Sequence, residues 1–334
     1  MHAKKRLVCC ILLGFLLVSA CVPQKTPAEE APTRRSAVGF YFDTAITITA
    51  YGVEQSALDA ALLECERYEK LLSKTIEQSD VWRMNHANGR PTAVSADTAA
   101  ILQTAIAVSG ASDGMFDITV APVVALWDFT SGATSLPEEA ARQAAAKLVD
   151  YRNISLNKNE VTLNKGATID LGGIAKGYIA DQVAAFLREQ GAKHILVNLG
   201  GNVLVYGGKP DGSAWAVGIQ DPDGETGKSL VMLNAMDASV VTSGIYERGF
   251  TVNGKRYHHI LHPHTGMPVD NELASVTIIS ESSVLGDALS TACLVLGTEH
   301  ALRLLEQFEG VEAVFVTREK EITATPGAPA LCGA

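Results

Sequence analysis

The chain has 334 residues, of which 47% are hydrophobic, and a formal net charge of -10 at pH 7. This length and apolar content allow one large domain with a sizeable core. The acidic balance argues against a nucleic-acid partner, and six cysteines at irregular spacing do not form the pattern of a disulfide framework.

The N-terminus has the layout of an exported lipoprotein. Lys4, Lys5 and Arg6 precede a short apolar run that ends in small residues before Cys21, as in a secretory signal with a lipidation cysteine. We expect residues 1–20 to be cleaved and Cys21 to be lipidated. The protein would then be a membrane-anchored lipoprotein on the extracytoplasmic side, at the periplasmic face of the inner membrane or at the cell surface. An uncleaved anchor is the alternative, although the run is shorter than the roughly 20 apolar residues of a spanning helix.

The rest of the chain reads as a tether, a domain and a tail. Residues 21–36 are rich in Pro, Thr, Glu and Ala, which indicates a flexible tether. No second linker follows, so we expect one domain over residues 37–325 and a frayed tail over residues 326–334.

The predicted elements of the domain alternate between strands and helices. In chain order they are a strand at 40–51, helices at 56–72, 95–111 and 138–148, a hairpin at 154–163, a helix at 174–190, strands near 194–198, 203–206, 215–219, 229–234 and 239–242, a hairpin turning at Asn253-Gly254, a strand at 274–279, helices at 284–296 and 300–308, and a strand at 311–317. The pattern predicts an α+β fold, a single large domain with a substantial antiparallel sheet flanked by helices.

Two segments carry the strongest chemical signal. In the run from Asp170 to Asp181, Gly172-Gly173 enters a predicted helix, which brings bare backbone and free N–H groups close to a ligand phosphate. Downstream, Asp287 and Thr291 are one helical turn apart on one face. Together they suggest a metal-bridged diphosphate site. The alternative is that Asp287 complements its helix dipole and Thr291 faces the core.

An ordered set of motifs resembles the ApbE family, the FAD:protein FMN transferases and flavin-trafficking lipoproteins. The set consists of residues 170–181, Asn198-Leu199-Gly200-Gly201-Asn202, residues 243–248 and residues 257–268. The resemblance covers roughly Phe40 to Thr317 and implies a T-fold-related architecture.

The resemblance implies a magnesium-dependent transfer of the FMN moiety of FAD to a threonine hydroxyl of an exported acceptor protein, with release of AMP. Acceptors would belong to membrane electron-transfer systems. Two alternatives remain open, namely an FAD pyrophosphatase that releases FMN and AMP, and a non-enzymatic flavin-binding lipoprotein. The resemblance links the choice between transfer and hydrolysis to a residue after the first helix, where this chain has Ser73-Lys74-Thr75.

The resemblance also implies site residues. The Mg²⁺ ligands would be Asp287, which is also a catalytic residue, Thr291, and a backbone carbonyl at Gly173 or, alternatively, Ala175. Residues implied to bind FAD are Met115, Phe116 and Asp117 in a Gly-x-Phe-Asp element, then Asp170, Lys176, Leu261 and Ser290. On residue type alone, Lys176 and Ser290 could be ordinary helix residues and Phe116 could be core.

Four of the eight histidines lie between His258 and His264. The resemblance identifies His259 as the residue that acts as general base on the acceptor hydroxyl or positions it, while His262 replaces the aspartate usual in the family. Zinc binding by the cluster is an alternative, but Pro263 and Gly266 place it on a turn without a second ligand cluster.

Two further segments depart from the family pattern. The first strand has Phe42-Asp43-Thr44 where Met-Gly-Thr is usual. Residues 128–134, Asp-x-x-Ser-Gly-Ala-Thr, resemble the sequence that these transferases modify, so Thr134 is a hypothetical acceptor; a chance match in a surface loop is the alternative.

Overall fold

The computed structural model describes residues 32–129, 135–164 and 166–334. The strands are β1 (Arg34–Tyr41), β2 (Thr44–Tyr51), β3 (Thr92–Ala93), β4 (Ile154–Asn157), β5 (Glu160–Leu163), β6 (His194–Leu199), β7 (Asn202–Tyr206), β8 (Trp215–Gln220), β9 (Ser229–Ala235), β10 (Ala238–Gly244), β11 (Gly249–Val252), β12 (Lys255–His258), β13 (Leu273–Ser280), β14 (Glu312–Thr317), β15 (Ile322–Ala324) and β16 (Leu331–Gly333). The helices are α1 (Gln55–Leu72), α2 (Asp80–Asn85), α3 (Ala96–Ala111), α4 (Ala121–Val124), α5 (Glu139–Ala146), α6 (Ala175–Glu189), α7 (Ser283–Leu296) and α8 (Thr298–Leu305).

An eight-stranded antiparallel sheet forms the centre of the fold, in the order β1-β2-β6-β7-β10-β13-β14-β15. Helix α7 packs on β10 and β13, and α6 packs on α7, α1 and β6. A three-stranded sheet, β16-β9-β8, shares a second apolar cluster with strands of the large sheet. Strand β13 is therefore covered on both faces, and all eight of its residues are buried.

A smaller apolar cluster lies beside the main core. It joins α4 and α5 to the hairpin β11–β12 through Val123, Trp127, Phe250 and Leu261. The indole of Trp127 stacks on Phe129, with ring centroids 5.4 Å apart, and its Nε1–H donates to the Gly266 carbonyl oxygen at 3.0 Å. This cluster forms one wall of the cleft described below.

The predicted fold class is confirmed, since the described residues combine helices with a large antiparallel sheet. The expected single strand at 40–51 is wrong, because the chain reverses at Phe42 and Asp43 to give β1 and β2. Both turn residues have positive φ, 56° and 57°, as a two-residue type I′ turn requires. Strand β1 already begins at Arg34, so the last three residues of the expected tether are strand.

The expected frayed C-terminal tail is also corrected. Residues of β16 pair with β9, from Leu331 opposite Leu233 to Gly333 opposite Val231. Cys332 lies in this strand and is exposed. The expected lipidation residue Cys21, the expected signal at 1–20 and the hypothetical acceptor Thr134 fall outside the described residues. Across the described ranges, no helix combines the length and the apolar content needed to cross a bilayer.

Candidate active site

A cleft of about 910 Å³ opens where the N-terminal end of α6 and one side of α7 meet the start of β2, the end of β10 and the aromatic cluster of Trp127. Its lining includes almost every residue that the sequence nominated, namely Met115, Phe116, Asp117, Asp170, Gly173, Ala175, Lys176, His259, Leu261, Asp287 and Thr291. These residues come from four separate stretches of chain and meet in one concave site of ligand size.

The glycine loop before α6 is held by Asp170. Its Oδ1 accepts the N–H of Gly172 at 2.9 Å, while its backbone N–H donates to the Ile118 carbonyl at 2.8 Å. On the other side, the ammonium of Lys176 donates to the Gly172 carbonyl at 3.3 Å. These contacts hold the loop in place, with a lysine beside it.

Asp287 and Thr291 face the same loop. Asp287 is 4% exposed, its Oδ2 accepts the Gly177 N–H at 2.9 Å, and its Oδ1 lies 3.9 Å from Lys176 Nζ. A Cβ built on Gly173 would lie 3.6 Å from Thr291 Oγ1, so the Gly173 backbone and the Thr291 hydroxyl are neighbours. One carboxylate, one hydroxyl and one nearby backbone segment fit a hard oxygen-preferring cation that also binds substrate phosphate.

Gly173 suits the third ligand position better than Ala175 does. Ala175 is the first residue of α6, where its carbonyl enters the helical hydrogen-bond pattern. Among the residues that the structure describes, no group of three His, Cys, Asp or Glu side chains could hold a metal ion. An ion at Asp287 would accordingly complete its shell with oxygens of the backbone, of water and of the phosphate.

Ser290 does not reach the cleft. Its side chain is fully buried, and its Oγ lies 2.8 Å from Ser243 Oγ and donates to the Asp287 carbonyl at 2.9 Å. Ser243, at the end of β10, lines the cleft and lies 3.2 Å from Thr291 Oγ1. Ser290 supports Ser243, which in turn contacts Thr291, while its expected contact with FAD stays a prediction.

Lys74 is the site residue whose role the sequence did not specify. It follows α1, lines the cleft, and its ammonium lies 2.5 Å from Asp170 Oδ2, the oxygen not used by Gly172. Lys74 and Lys176 thus both lie at the glycine loop, one bound to Asp170 and the other to the Gly172 carbonyl. No pattern marked Lys74 as a partner of Asp170, because the contact joins residues 96 positions apart.

The Gly-x-Phe-Asp element has a largely structural role. Asp117 is buried, and its carboxylate accepts hydrogen bonds from Thr119 N, Thr119 Oγ1 and Tyr151 N at 2.6–2.8 Å. Burial raises the pKa of Asp117 despite these bonds. Its carboxylate therefore holds the loop structure, while the expected contact of Asp117, which lines the cleft, with FAD stays a prediction. Phe116 is core and lies against Gly173, whereas half-buried Met115 lines the cleft.

The ring of His259 is placed as a proton acceptor. Its Nδ1 lies 3.3 Å from the Arg248 carbonyl, which can only accept, so Nδ1 carries the proton and Nε2 is free. Burial, together with the charges of Arg248, His258 and Lys176, lowers the pKa of His259 to about 4, and the hydrogen bond to the Arg248 carbonyl opposes this shift only in part. The imidazole is neutral at pH 7 and able to take a proton.

The other histidines of the cluster do not share this site. His258 is buried and its Nε2 donates to the Val269 carbonyl at 3.0 Å, whereas the rings of His262 and His264 pack against each other with centroids 5.7 Å apart. Leu261 bridges to Pro268 and packs in the aromatic cluster while lining the cleft. Arg248 and Glu247, which the sequence left unassigned, also line it.

This fold recurs in known proteins. In solved structures it is shared by an ApbE protein from Thermotoga maritima, with a TM-score of 0.80, 30% identity and coverage of 88% of this chain and 97% of that one, and by the flavin transferase ApbE from Vibrio cholerae, with a TM-score of 0.78, 26% identity and coverage of 88% and 97%. Such an α+β domain defines the class of ApbE-like proteins.

Sequence comparison leads to the same class. Residues 42–315 match the ApbE family. An FAD:protein FMN transferase from Klebsiella pneumoniae is 37% identical over 281 residues, which cover 83% of this chain and 87% of that protein. Another from Treponema pallidum is 35% identical over 289 residues, which cover 81% and 80%. The chain belongs to the ApbE family.

Proposed function

We propose that this protein transfers the FMN moiety of FAD to a threonine hydroxyl of an acceptor protein and releases AMP, in a reaction that requires Mg²⁺. The relatives named FAD:protein FMN transferase support the choice of substrate and reaction. The observation that carries the proposal is the convergence of Asp287, Thr291 and the Gly172-Gly173 loop between two lysines in one cleft.

Asp287, Thr291 and the backbone carbonyl of Gly173 would hold the Mg²⁺. The bound ion would neutralise charge on the diphosphate and on the transferring phosphoryl group. The chain itself contributes the ammonium groups of Lys74 and Lys176, which would balance the remaining negative charge of the diphosphate. These groups bind and orient the diphosphate within the cleft.

The covalent step is a phosphoryl-type transfer. The acceptor threonine Oγ forms a bond to the FMN-side phosphorus of FAD, the bond from that phosphorus to the bridging oxygen breaks, and AMP leaves with this oxygen. His259 Nε2 takes the hydroxyl proton, since Nδ1 already carries the proton that it donates to the Arg248 carbonyl. The product is FMN joined to threonine by a phosphoester.

Product analysis separates this reaction from its two alternatives. Incubation with FAD, Mg²⁺ and an acceptor carrying Asp-x-x-Ser-Gly-Ala-Thr should yield AMP and an acceptor heavier by the mass of FMN, measured by chromatography and intact mass. AMP with equal free FMN and an unmodified acceptor would show a pyrophosphatase. FAD binding without AMP release would show a flavin carrier.

The metal role of Asp287 has its own test. Asp287→Ala removes the single carboxylate of the proposed metal site, so Mg²⁺-dependent AMP release should fall to background. Asp97→Asn is the control, because Asp97 lies on α3 outside the cleft lining, and it should retain the parent rate. Asp181→Ala does not serve as a control, because Asp181 contacts α7, the helix that carries Asp287. A wild-type rate in Asp287→Ala would remove the metal mechanism.

We also propose the location that the N-terminal sequence suggests. Residues 1–20 and Cys21 support export and lipidation, which would hold the enzyme at a membrane outside the cytoplasm, next to acceptors of electron-transfer systems. Cys21→Ser should move the protein from the membrane fraction to the soluble fraction.

A further inference from the structure

Asp181 makes a contact between helices that the proposed chemistry does not use. It lies on α6 one turn after Gly177, and both oxygens of its carboxylate bind the start of α7. Oδ1 accepts the N–H of Ser283 at 2.9 Å and Oδ2 accepts the N–H of Val284 at 3.0 Å. The first N–H groups of a helix have no partner within the helix, so a side chain of α6 binds them here.

Helix α7 does not depend on Asp181 for a cap of its own. Ser282 occupies the position before the helix, and its Oγ accepts the Leu285 N–H at 3.4 Å. The hydroxyl of Ser283 donates to Asn202 Oδ1 at 2.7 Å. The first turn of α7 is thus tied separately to α6 and to β7.

The same pair of helices is joined again one turn further on, at the proposed metal ligand. Gly177 N–H donates to Asp287 Oδ2 at 2.9 Å. The helices approach so closely that a Cβ on Gly177 would lie 2.2 Å from the Ser283 carbonyl oxygen. Asp181 and Gly177 are therefore two successive attachments of α6 to α7, and a shift of α7 at Ser283 displaces Asp287.

We propose that Asp181 is a positioning residue for the metal site, acting through the first turn of α7 to fix where Asp287 and Thr291 stand relative to the Gly173 backbone. The inference rests on the proposed function for the identity of the metal ligands. Residues outside the first coordination shell that orient metal ligands typically change metal affinity by roughly 10–100-fold when replaced.

The test measures metal binding directly in the full-length protein. Mn²⁺ serves as the probe, with ADP as a diphosphate that carries no flavin, and bound Mn²⁺ is obtained from the loss of the free-ion EPR signal. Asp181→Asn should raise the Mn²⁺ dissociation constant by roughly 10-fold or more. Asp181→Ser is measured in parallel, since its small side chain fits the site should the asparagine variant fail to fold, and it should weaken Mn²⁺ binding in the same way.

Ser282→Ala is the matched control. It removes the cap that α7 makes for itself and leaves both attachments to α6, so its Mn²⁺ dissociation constant should stay within twofold of the parent value. Parent-like Mn²⁺ binding in the Asp181 variants would overturn the proposal, as would equal weakening by Ser282→Ala, which would show that capping alone matters. Loss of function at the metal site itself is distinguished by Asp287→Ala: parent-like Mn²⁺ binding in that variant would overturn the proposed ligands and, with them, the role of Asp181.

Discussion

At the scale of single residues, the charged side chains of the cleft form hydrogen bonds or ion pairs with one another and with the backbone. Asp170 binds Lys74 and the Gly172 N–H, and Asp287 binds the Gly177 N–H near Lys176. Each lysine therefore lies beside a carboxylate and beside the loop that would bind phosphate. The sequence predicts Asp170, Lys176 and Asp287 as site residues because each belongs to a recognisable local pattern, and all three line the cleft. It could not specify Lys74, since nothing local links a lysine after α1 to the loop before α6.

Lys74 gives the first residue-scale prediction. Lys74→Gln removes one of the two ammonium groups beside the glycine loop, so the KM for FAD should rise about fivefold to tenfold, in line with a charge-assisted contact of about 1–1.5 kcal/mol. Lys70→Gln is the control, because Lys70 pairs with Glu66 outside the cleft lining and should leave KM unchanged. An unchanged KM in Lys74→Gln would mean that Lys74 serves only as a partner of Asp170.

The second residue-scale prediction concerns the neutral imidazole of His259. Its pKa of about 4 keeps Nε2 unprotonated throughout the neutral range. We expect His259→Gln to lower kcat for transfer about 100-fold with little change in the KM for FAD, as for the loss of a general base. His264→Gln, in the same cluster but outside the cleft lining, should keep the parent kcat. Equal effects of the two substitutions would indicate that the cluster matters only for local structure.

At the scale of elements, the periodic patterns located the helices that build the site. Helices α1, α3, α6 and α7 were each expected within about a residue of their observed ends, because an apolar stripe at helical spacing is a strong signal. The β1–β2 hairpin was missed for a definite reason. Its type I′ turn uses Phe42 and Asp43 instead of Asn-Gly, and the Phe42 N–H is held by Glu69 Oε1 at 2.7 Å. A tertiary contact thus replaces the local turn signal.

The crossing of α6 and α7 gives an element-scale prediction. Gly177→Ala places a Cβ against the Ser283 backbone and must separate α6 from α7. The free energy of unfolding should therefore fall by roughly 1–3 kcal/mol, as for an overpacked core. Urea denaturation measures the change.

Gly110→Ala on α3 is the matched control. The nearest atom to its added Cβ would be the Tyr151 hydroxyl oxygen at 3.8 Å, so the same substitution should be neutral or stabilising by up to about 1 kcal/mol. Equal stability of the two variants would contradict the close approach of α6 and α7.

At the scale of the whole molecule, buried ionisable groups set the response to acid. Burial lowers the pKa of both His258 and His259 to about 4, and burial with the nearby charge of Asp287 raises the pKa of Asp181 to about 6. Between pH 6.5 and 4 the unfolded chain binds more protons at the two histidines, whereas the folded chain binds more at Asp181. Among these three residues the two histidines outweigh Asp181, so together they make the protein less stable as the pH falls. The raised pKa of Asp117 and of Glu247 opposes this effect, and the lowered pKa of His262 adds to it.

The corresponding measurement is the free energy of unfolding in urea between pH 7 and 4.5. It should decrease on acidification, and His258→Gln should show a shallower decrease because one of the two histidine contributions is gone. His300→Gln, at an exposed helix position, should follow the parent. A His258→Gln variant as pH-sensitive as the parent would contradict the assigned role of burial.

The proposed reaction depends most directly on where FAD and the metal bind. The decisive measurement is a crystal structure of the protein with FAD and Mn²⁺, with the metal located by anomalous scattering. We expect an anomalous peak between the Asp287 carboxylate and the Thr291 hydroxyl, beside the Gly173 backbone. We expect the diphosphate of FAD over the Gly172-Gly173 loop, between Lys74 and Lys176. A metal peak away from Asp287, or a diphosphate bound outside this loop, would contradict it.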